Sequence, residues 1–168
     1  MYITIKGIVG VKSIKLPRPI KNLIGTMRVA IVEVLLDCAA YENRESKYFR
    51  GKVLESGRHM SKELKERGFT TFEMNRIDGL RGITELKFDL KELNAESNLV
   101  DGRPDNELLT YHVSDSSHKM DVIRFEPKRL RYKNLEFGEL DSITLRVVDQ
   151  NGVIVKEGLT TTVILHIE

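Results

Sequence analysis

The sequence predicts an all-β sandwich, and three observations do so. Apolar residues recur at every second position in several short segments, turn-forming residues punctuate those segments, and helical spacing is confined to one stretch. Alternation is the informative pattern because successive side chains of a strand point to opposite faces, so a half-buried strand must read apolar, polar, apolar.

Taken in chain order, strands are expected at residues 2–8, 12–16, 27–36, 47–54, 70–74, 84–88, 108–113 and 122–132, the last broken near Pro127. The signal is clearest at the C-terminal end. In residues 142–149, Ile143, Leu145 and Val147 fall on one face while Ser142, Thr144 and Arg146 fall on the other. Gln150-Asn151-Gly152 then supplies an Asn-Gly step, suited to the positive φ angles of a tight hairpin, and residues 153–155 begin the return. In the final segment, Thr161, Val163, Leu165 and Ile167 are expected inward, with Thr162, Ile164, His166 and Glu168 outward. Eight or more strands of this kind suit a two-sheet sandwich or jelly roll.

One short surface helix is expected at residues 59–67, where Met60 and Leu64 lie four apart and Gly68 offers a stop. A further helical turn is conceivable at 90–94, and residues 94–106, without periodicity, read as a long exposed loop. Repeats and linkers are lacking, so residues 1–168 are expected to form one domain, long enough to bury roughly 70% of the surface of its unfolded chain.

Composition excludes several classes. Hydrophobic residues make up 40% and charged residues 31%, which disfavours disorder. The longest apolar run, residues 29–36, is interrupted at Glu33 and falls short of the ~20 residues of a membrane-spanning helix. Lys6 and Lys12 break any signal-peptide core, and the single cysteine, Cys38, cannot form an intrachain disulfide. A net charge of +2 is too near balance for a protein that coats nucleic acid, so any polyanion site must be a local patch.

Catalytic chemistry finds little support. His112 and His118, with Asp115 and Asp121 nearby, lack the tight spacing of a metal pair and read as a polar turn; His59 and His166 stand apart from them. Neither a nucleophile elbow nor a phosphate-binding loop occurs, since residues 79–82 (GLRG) lack the necessary lysine, and Cys38 reads as a small core residue. No metal or cofactor is expected. Among the basic residues, Arg129, Arg131 and Lys133 share one face of an expected strand, a stripe compatible with nucleic acid, an acidic partner or plain solvation. Arg58, Lys62, Lys65 and Arg67 around the helix are interleaved with Glu63 and Glu66 and read as a solvated surface.

The segment LPRPIKNLIGTMRVAIVEVLL raises a sharper question. Pro17 and Pro19 cannot donate to a central ladder, so LPRPI should be an edge or a strand exit. On strict alternation Val29, Ile31, Glu33 and Leu35 share a face, opposite Ala30, Val32, Val34 and Leu36. Both faces are mostly apolar, which suits burial against a neighbouring subunit; pairing of Glu33 with an arginine of its own chain, or a place at a sheet edge, explains it equally.

The two ends of the chain resemble the single jelly-roll, penton-type capsid proteins of polinton-like viruses, virophages and adenovirus-like double-stranded-DNA viruses. In that family a Leu-Pro-x-Pro-Ile step leads into a strand of the form Val-(Gly/Ala)-(Leu/Ile)-x-Glu-(Ile/Val), matched here by Leu16, Pro17, Pro19 and Ile20, then Val29, Ala30, Ile31, Glu33 and Val34. The family's closing hairpin is matched by Ile143, Leu145, Val147, Asp149, Gly152, Val163, Leu165 and His166. Between them, DCAAYEN keeps Tyr41 and Asn43 where the family has a proline and a tryptophan before the asparagine.

The resemblance implies a single jelly roll that assembles into a vertex ring, a homopentamer contacting a major capsid protein in the virion, without enzymatic activity. A minor or captured capsid-derived protein has the same fold. Rival readings are a ligand-binding sandwich, lectin-like or a trimeric fibre head, and a cupin-like enzyme. The absence of tryptophan weighs against the first, and the absence of a clustered histidine-glutamate set against the second.

Overall fold

The computed structural model describes residues 1–38, 40–46, 71–77, 80, 82–114, 122–156 and 158–168. The expected strand at 47–54, the helix at 59–67 with its flanking cations, and the polar turn at 115–121 with His118 lie outside the described residues. Alternating segments give β1 (Tyr2–Ile8), β2 (Val11–Asn22) and β3 (Arg28–Asp37), followed by β4 (Ala40–Ser46) and β5 (Thr71–Ile77). Then come β6 (Glu85–Leu90), β7 (Leu99–Val100), β8 (Arg103–Pro104), β9 (Glu107–His112), β10 (Val122–Phe125), β11 (Lys133–Asn134), β12 (Gly138–Val148) and β13 (Thr160–Ile167). Among the described residues every regular element is a strand.

Two sheets carry the fold. One has the order β1-β13-β3-β10, with β11 also pairing β3; the other has the order β2-β12-β6-β9. The pairings nest: β1 with β13, β2 with β12, β3 with β10 and β11, and β6 with β9, all antiparallel. The chain is thus one long folded-back ribbon, rolled so that β13 also meets β3 and β12 also meets β6. That is a jelly roll. The hairpin β4-β5 forms a two-stranded sheet of its own.

The core lies between the inner faces. Leu86, Phe88 and Leu90 of β6 and Ile143, Leu145 and Val147 of β12 pack toward Val34 and Leu36 of β3 and Val163, Leu165 and Ile167 of β13, all of them buried. The inward and outward sets expected for the last two strands are the observed ones. Cys38 is part of this core. Each fully buried aliphatic or phenylalanine side chain is worth roughly 1.5–3 kcal/mol, so their sum offsets the entropy of ordering the sheets.

β3 departs from strict alternation at one place. Ile164 of β13 opposes Glu33 and Leu165 opposes Ile31, so Val32 is an extra residue without a partner, a β-bulge. Before it, Val29 and Ile31 point inward; after it, Val34 and Leu36 do. The shared face expected for Val29, Ile31, Glu33 and Leu35 is therefore broken in the middle.

The prolines fall where the ladder lapses. β2 is an edge strand, and its pairing with β12 jumps from Ile20↔Leu140 to Lys15↔Ser142. Leu16, Pro17, Arg18 and Pro19 face one residue, Asp141, so neither proline has a ladder bond to donate. Leu16 and Ile20 turn inward on either side and anchor the exposed step.

Two turns are closed differently from the simplest expectation. After β12 only Gly152 takes a positive φ (78°), its amide donates to Asp149 O (3.0 Å), and the Asp149 carboxylate accepts from the Asn151 and Val153 amides at 2.8 and 2.9 Å. The return is a single bridge, Val148↔Ile154, rather than a strand. Between β1 and β2, Gly10 combines a φ of +72° with close approach: a Cβ there would sit 2.6 Å from Ile154 Cγ2 and 3.0 Å from Lys156 Cγ.

Residues 94–106 are exposed but ordered, contrary to a plain loop. They contain the β7-β8 hairpin and are tied to β11 through Asn98, which donates from Nδ2 to Asn134 O (2.8 Å) and accepts at Oδ1 from the Asn134 amide (3.2 Å). Lys133 donates to Asp105 in the same place. Burial alone would raise the Asp105 pKa, but the Lys133 hydrogen bond, the Glu107 amide and the charges of Lys133 and Lys87 outweigh it and leave it lowered.

Gly10→Ala is expected to lower stability by roughly 1–2 kcal/mol for the left-handed backbone, with the crowding against Ile154 in addition, as a reduced urea midpoint. Asp105→Asn should cost about 1–2 kcal/mol at neutral pH. Because the native carboxyl titrates below its unfolded value, that contribution is full above the ordinary carboxylate pKa and is lost as pH falls through the folded one. Denaturation curves of both proteins at about pH 7 and about pH 2.5 should therefore converge at the lower pH.

Candidate functional site

The bulge settles where the four residues singled out on β3 lie. Val29 and Ile31 are 0% and 2% exposed within the chain itself, so they are core residues with no surface left for a neighbouring subunit. Glu33 and Leu35 face outward and are half-buried. Arg124 on the adjacent β10 donates from Nη2 to Glu33 Oε2 at 3.1 Å and also pairs with Glu126 at 2.8 Å. The acid in the apolar run is thus held by an arginine of its own chain, on the outside of the sandwich. Its hydrogen bond to Glu33, more than any other contact, pushes the Arg124 pKa further up.

The basic stripe is also rearranged. Residues 126–132 bulge away from β3 between β10 and β11, so Arg129 and Arg131 stand on an irregular segment rather than a strand face. Lys133 is half-buried, and its charge is taken up by Asp105. What replaces the stripe is a groove of about 490 Å³ between this segment and the edge strand β9. Half-buried Leu109 and Phe125, with the buried Ile31 and Leu108 beneath them, supply an apolar floor, and Lys128, Arg129 and Arg131 line the groove as well. All three cations are exposed, and among the described residues none has an ion-pair partner.

A third feature was not foreseen from sequence. At one end of the sandwich Leu23, Ile24 and Phe137 are 61%, 80% and 69% exposed. They are neighbours: Asn22 opposes Gly138, and a Cβ on Gly25 would be 3.9 Å from Phe137 Cδ2. Buried Asn22 fastens the two turns together, donating from Nδ2 to Leu135 O (3.1 Å) and Glu136 O (2.9 Å) and accepting at Oδ1 from the Met27 amide (3.1 Å). Three large apolar side chains in water on a braced platform form a patch of the kind that marks a contact site. The signal available in sequence was Leu23-Ile24 beside a glycine, which is indistinguishable there from the end of a strand.

His166 belongs to a surface cluster. Its ring lies 4.6 Å from that of Tyr2 and 5.9 Å from that of Tyr132, and the Tyr132 hydroxyl is 2.8 Å from His166 Nδ1. Arg28 stacks over Tyr132 at 5.3 Å and bonds Glu168. Burial, then the Glu168 carboxylate, raises the Tyr132 pKa, and the Tyr132 hydroxyl links the segment before β11 to β13 through His166. His112 is 77% exposed beside Glu85. Among the described residues no group of three or more histidine, cysteine, aspartate or glutamate side chains converges as a metal site would require, and no helix is long and apolar enough to cross a membrane.

No protein-family model matches the sequence, and no curated protein matches it at a significant level. Among solved structures, the fold is similar to that of the penton protein of mavirus, determined from selenomethionine-labelled crystals. The TM-score is 0.53 at 9% identity, over 100% of this chain and 98% of that one. At that identity the likeness is one of fold, and it spans both sheets of the jelly roll from end to end.

Proposed function

We propose that this chain is a viral structural protein: a penton-type vertex protein that assembles with copies of itself into a closed ring, a pentamer, in the icosahedral capsid of a double-stranded-DNA virus. The observation that carries this reading is the end-to-end likeness of its jelly roll to a penton protein. The ends of the sequence support it independently through the Leu16–Ile20 step and the closing segment with His166. In this reading residues 1–168 act as one unit in the virion, beside a major capsid protein, and bear no catalytic role.

The ring needs a surface that is sticky toward a different surface of the next copy, because head-to-tail contacts whose rotation closes produce rings. Leu23, Ile24 and Phe137 suit one side of such a contact, each worth roughly 1.5–3 kcal/mol on complete burial. The half-buried Glu33 and Leu35 on the outer face of β3 are candidates for another. Val29 and Ile31 have no part in it.

The test is a particle-size measurement. Sedimentation velocity over a wide concentration range should resolve a species of five times the protomer mass, and negative-stain images should show five-fold rings. Ile24→Asp with Phe137→Asp should weaken assembly at least about tenfold, the equivalent of 1.4 kcal/mol, with an unchanged far-ultraviolet circular dichroism spectrum. Three-fold particles would select the fibre-head reading instead, and strictly monomeric protein at every concentration would overturn the proposal.

A further inference from the structure

The groove beside β9 carries an inference that does not rest on the capsid reading. Its features come from three sources that converge on one ligand. The floor is apolar, presented by half-buried Leu109 and Phe125 over the buried Ile31 and Leu108. One wall is cationic, with Lys128, Arg129 and Arg131 lacking ion-pair partners among the described residues. The other wall is a sheet edge, since among the described residues β9 pairs with β6 on one side alone.

That edge has unused hydrogen-bonding capacity. The Val113 amide donates to Thr84 O at 2.9 Å, which makes Val113↔Thr84 a hydrogen-bonded pair of the β6–β9 ladder. In an antiparallel ladder such pairs alternate with pairs whose backbone groups point away. Counting back along the register, His112↔Glu85 and Thr110↔Lys87 are of the second kind. The amides and carbonyls of Thr110 and His112 thus turn away from β6 toward the groove they line, and among the described residues no backbone group bonds them.

We infer that this groove binds an extended, acidic peptide segment of another protein, laid against β9 as an added strand. Its backbone pairs with Thr110 and His112. Alternate apolar side chains reach Leu109 and Phe125, and the intervening carboxylates meet Lys128, Arg129 and Arg131. Charge complementarity fixes the class of partner, because three clustered cations attract acids and repel basic segments. Edge pairing with pockets for every second side chain is an established way to hold a strand. The volume, about 490 Å³, lies within the roughly 300–1,000 Å³ of ligand sites. Nucleic acid fits less well, since phosphates and sugars gain nothing from an apolar floor and, among the described lining residues, Phe125 is the single phenylalanine, tyrosine or tryptophan, too little to stack successive bases.

The experiment is fluorescence anisotropy with labelled peptides of about six residues, the usual length of a strand, alternating glutamate with leucine or valine. Comparison ligands are the lysine-for-glutamate peptide, the acidic peptide N-methylated at alternate amides, and an oligothymidine. The intact protein should bind the acidic peptide saturably and more weakly as salt rises, and should reject the lysine peptide. Arg129→Glu with Arg131→Glu should weaken binding at least tenfold, and Arg129→Gln with Arg131→Gln by less, at unchanged circular dichroism. Both arginines are exposed, so the folded state is retained; should either double variant lose the native spectrum, Lys128→Glu supplies the same comparison. N-methylation should abolish binding. The inference is overturned by absence of saturable binding, by indifference to charge reversal, by tolerance of N-methylation, or by equal or tighter binding of the oligothymidine, which would reassign the groove to nucleic acid.

Discussion

One supernumerary residue governs the layout of this sandwich. Strand β3 pairs with β13 on one side and with β10 and β11 on the other, so its side chains decide what the whole first sheet buries. A strand of ten residues apolar on both faces would be free to slip, since a one-residue shift merely exchanges one apolar set for another. The bulge at Val32 removes that ambiguity. It lets Val29, Ile31, Val34 and Leu36 all enter the core while Glu33 stays on the outside, where Arg124 meets it. A carboxylate that would cost several kcal/mol if buried alone thereby becomes a register pin.

The nested pairing has a corollary for where contact surfaces can lie. Among the described residues, rolling the folded-back ribbon leaves the two main sheets with four edges, those of β1, β2, β9 and the broken strand formed by β10 and β11. Exposed edges invite unwanted pairing, and each is treated differently. β2 is blunted by Pro17 and Pro19. β10 and β11 are interrupted by residues 126–132. β1 pairs with β13 through an irregularity between Ile5 and Ile8 and carries the Tyr2–His166 contact. Among the described residues β9, bulged at Leu108, keeps an unpaired edge beside the groove, which is why the cationic wall opposite it gains significance.

Much of the fold was legible in the residues themselves. Period-two patterning located β1, β6, β9, β12 and β13 to within a few positions, because most of each strand alternates between core and solvent despite the register shifts in β1 and β9 and beside β12. The two prolines announced an edge correctly. What failed was whatever depended on a single inserted residue or on a distant partner. The face of Glu33 was misplaced because a bulge has no compositional mark when the inserted residue is one more valine. The Arg129, Arg131 and Lys133 stripe dissolved because Pro127 diverts the chain for longer than a kink, and because Asp105, 28 positions from Lys133, claims its charge. β4 was overlooked since its sequence, AYENRES, is too polar to show a pattern.

Asn22 has an implication for kinetics. Its three hydrogen bonds immobilise both loops that display Leu23, Ile24 and Phe137 before any encounter. Loops that must freeze on docking surrender freedom then, at about 0.5–1.5 kcal/mol per side chain restrained. Here the main chain beneath the three residues is already fixed, so productive collisions are limited by how two bodies are oriented and little by waiting for a rare conformer. Such a surface would associate quickly even where the final affinity per contact is modest.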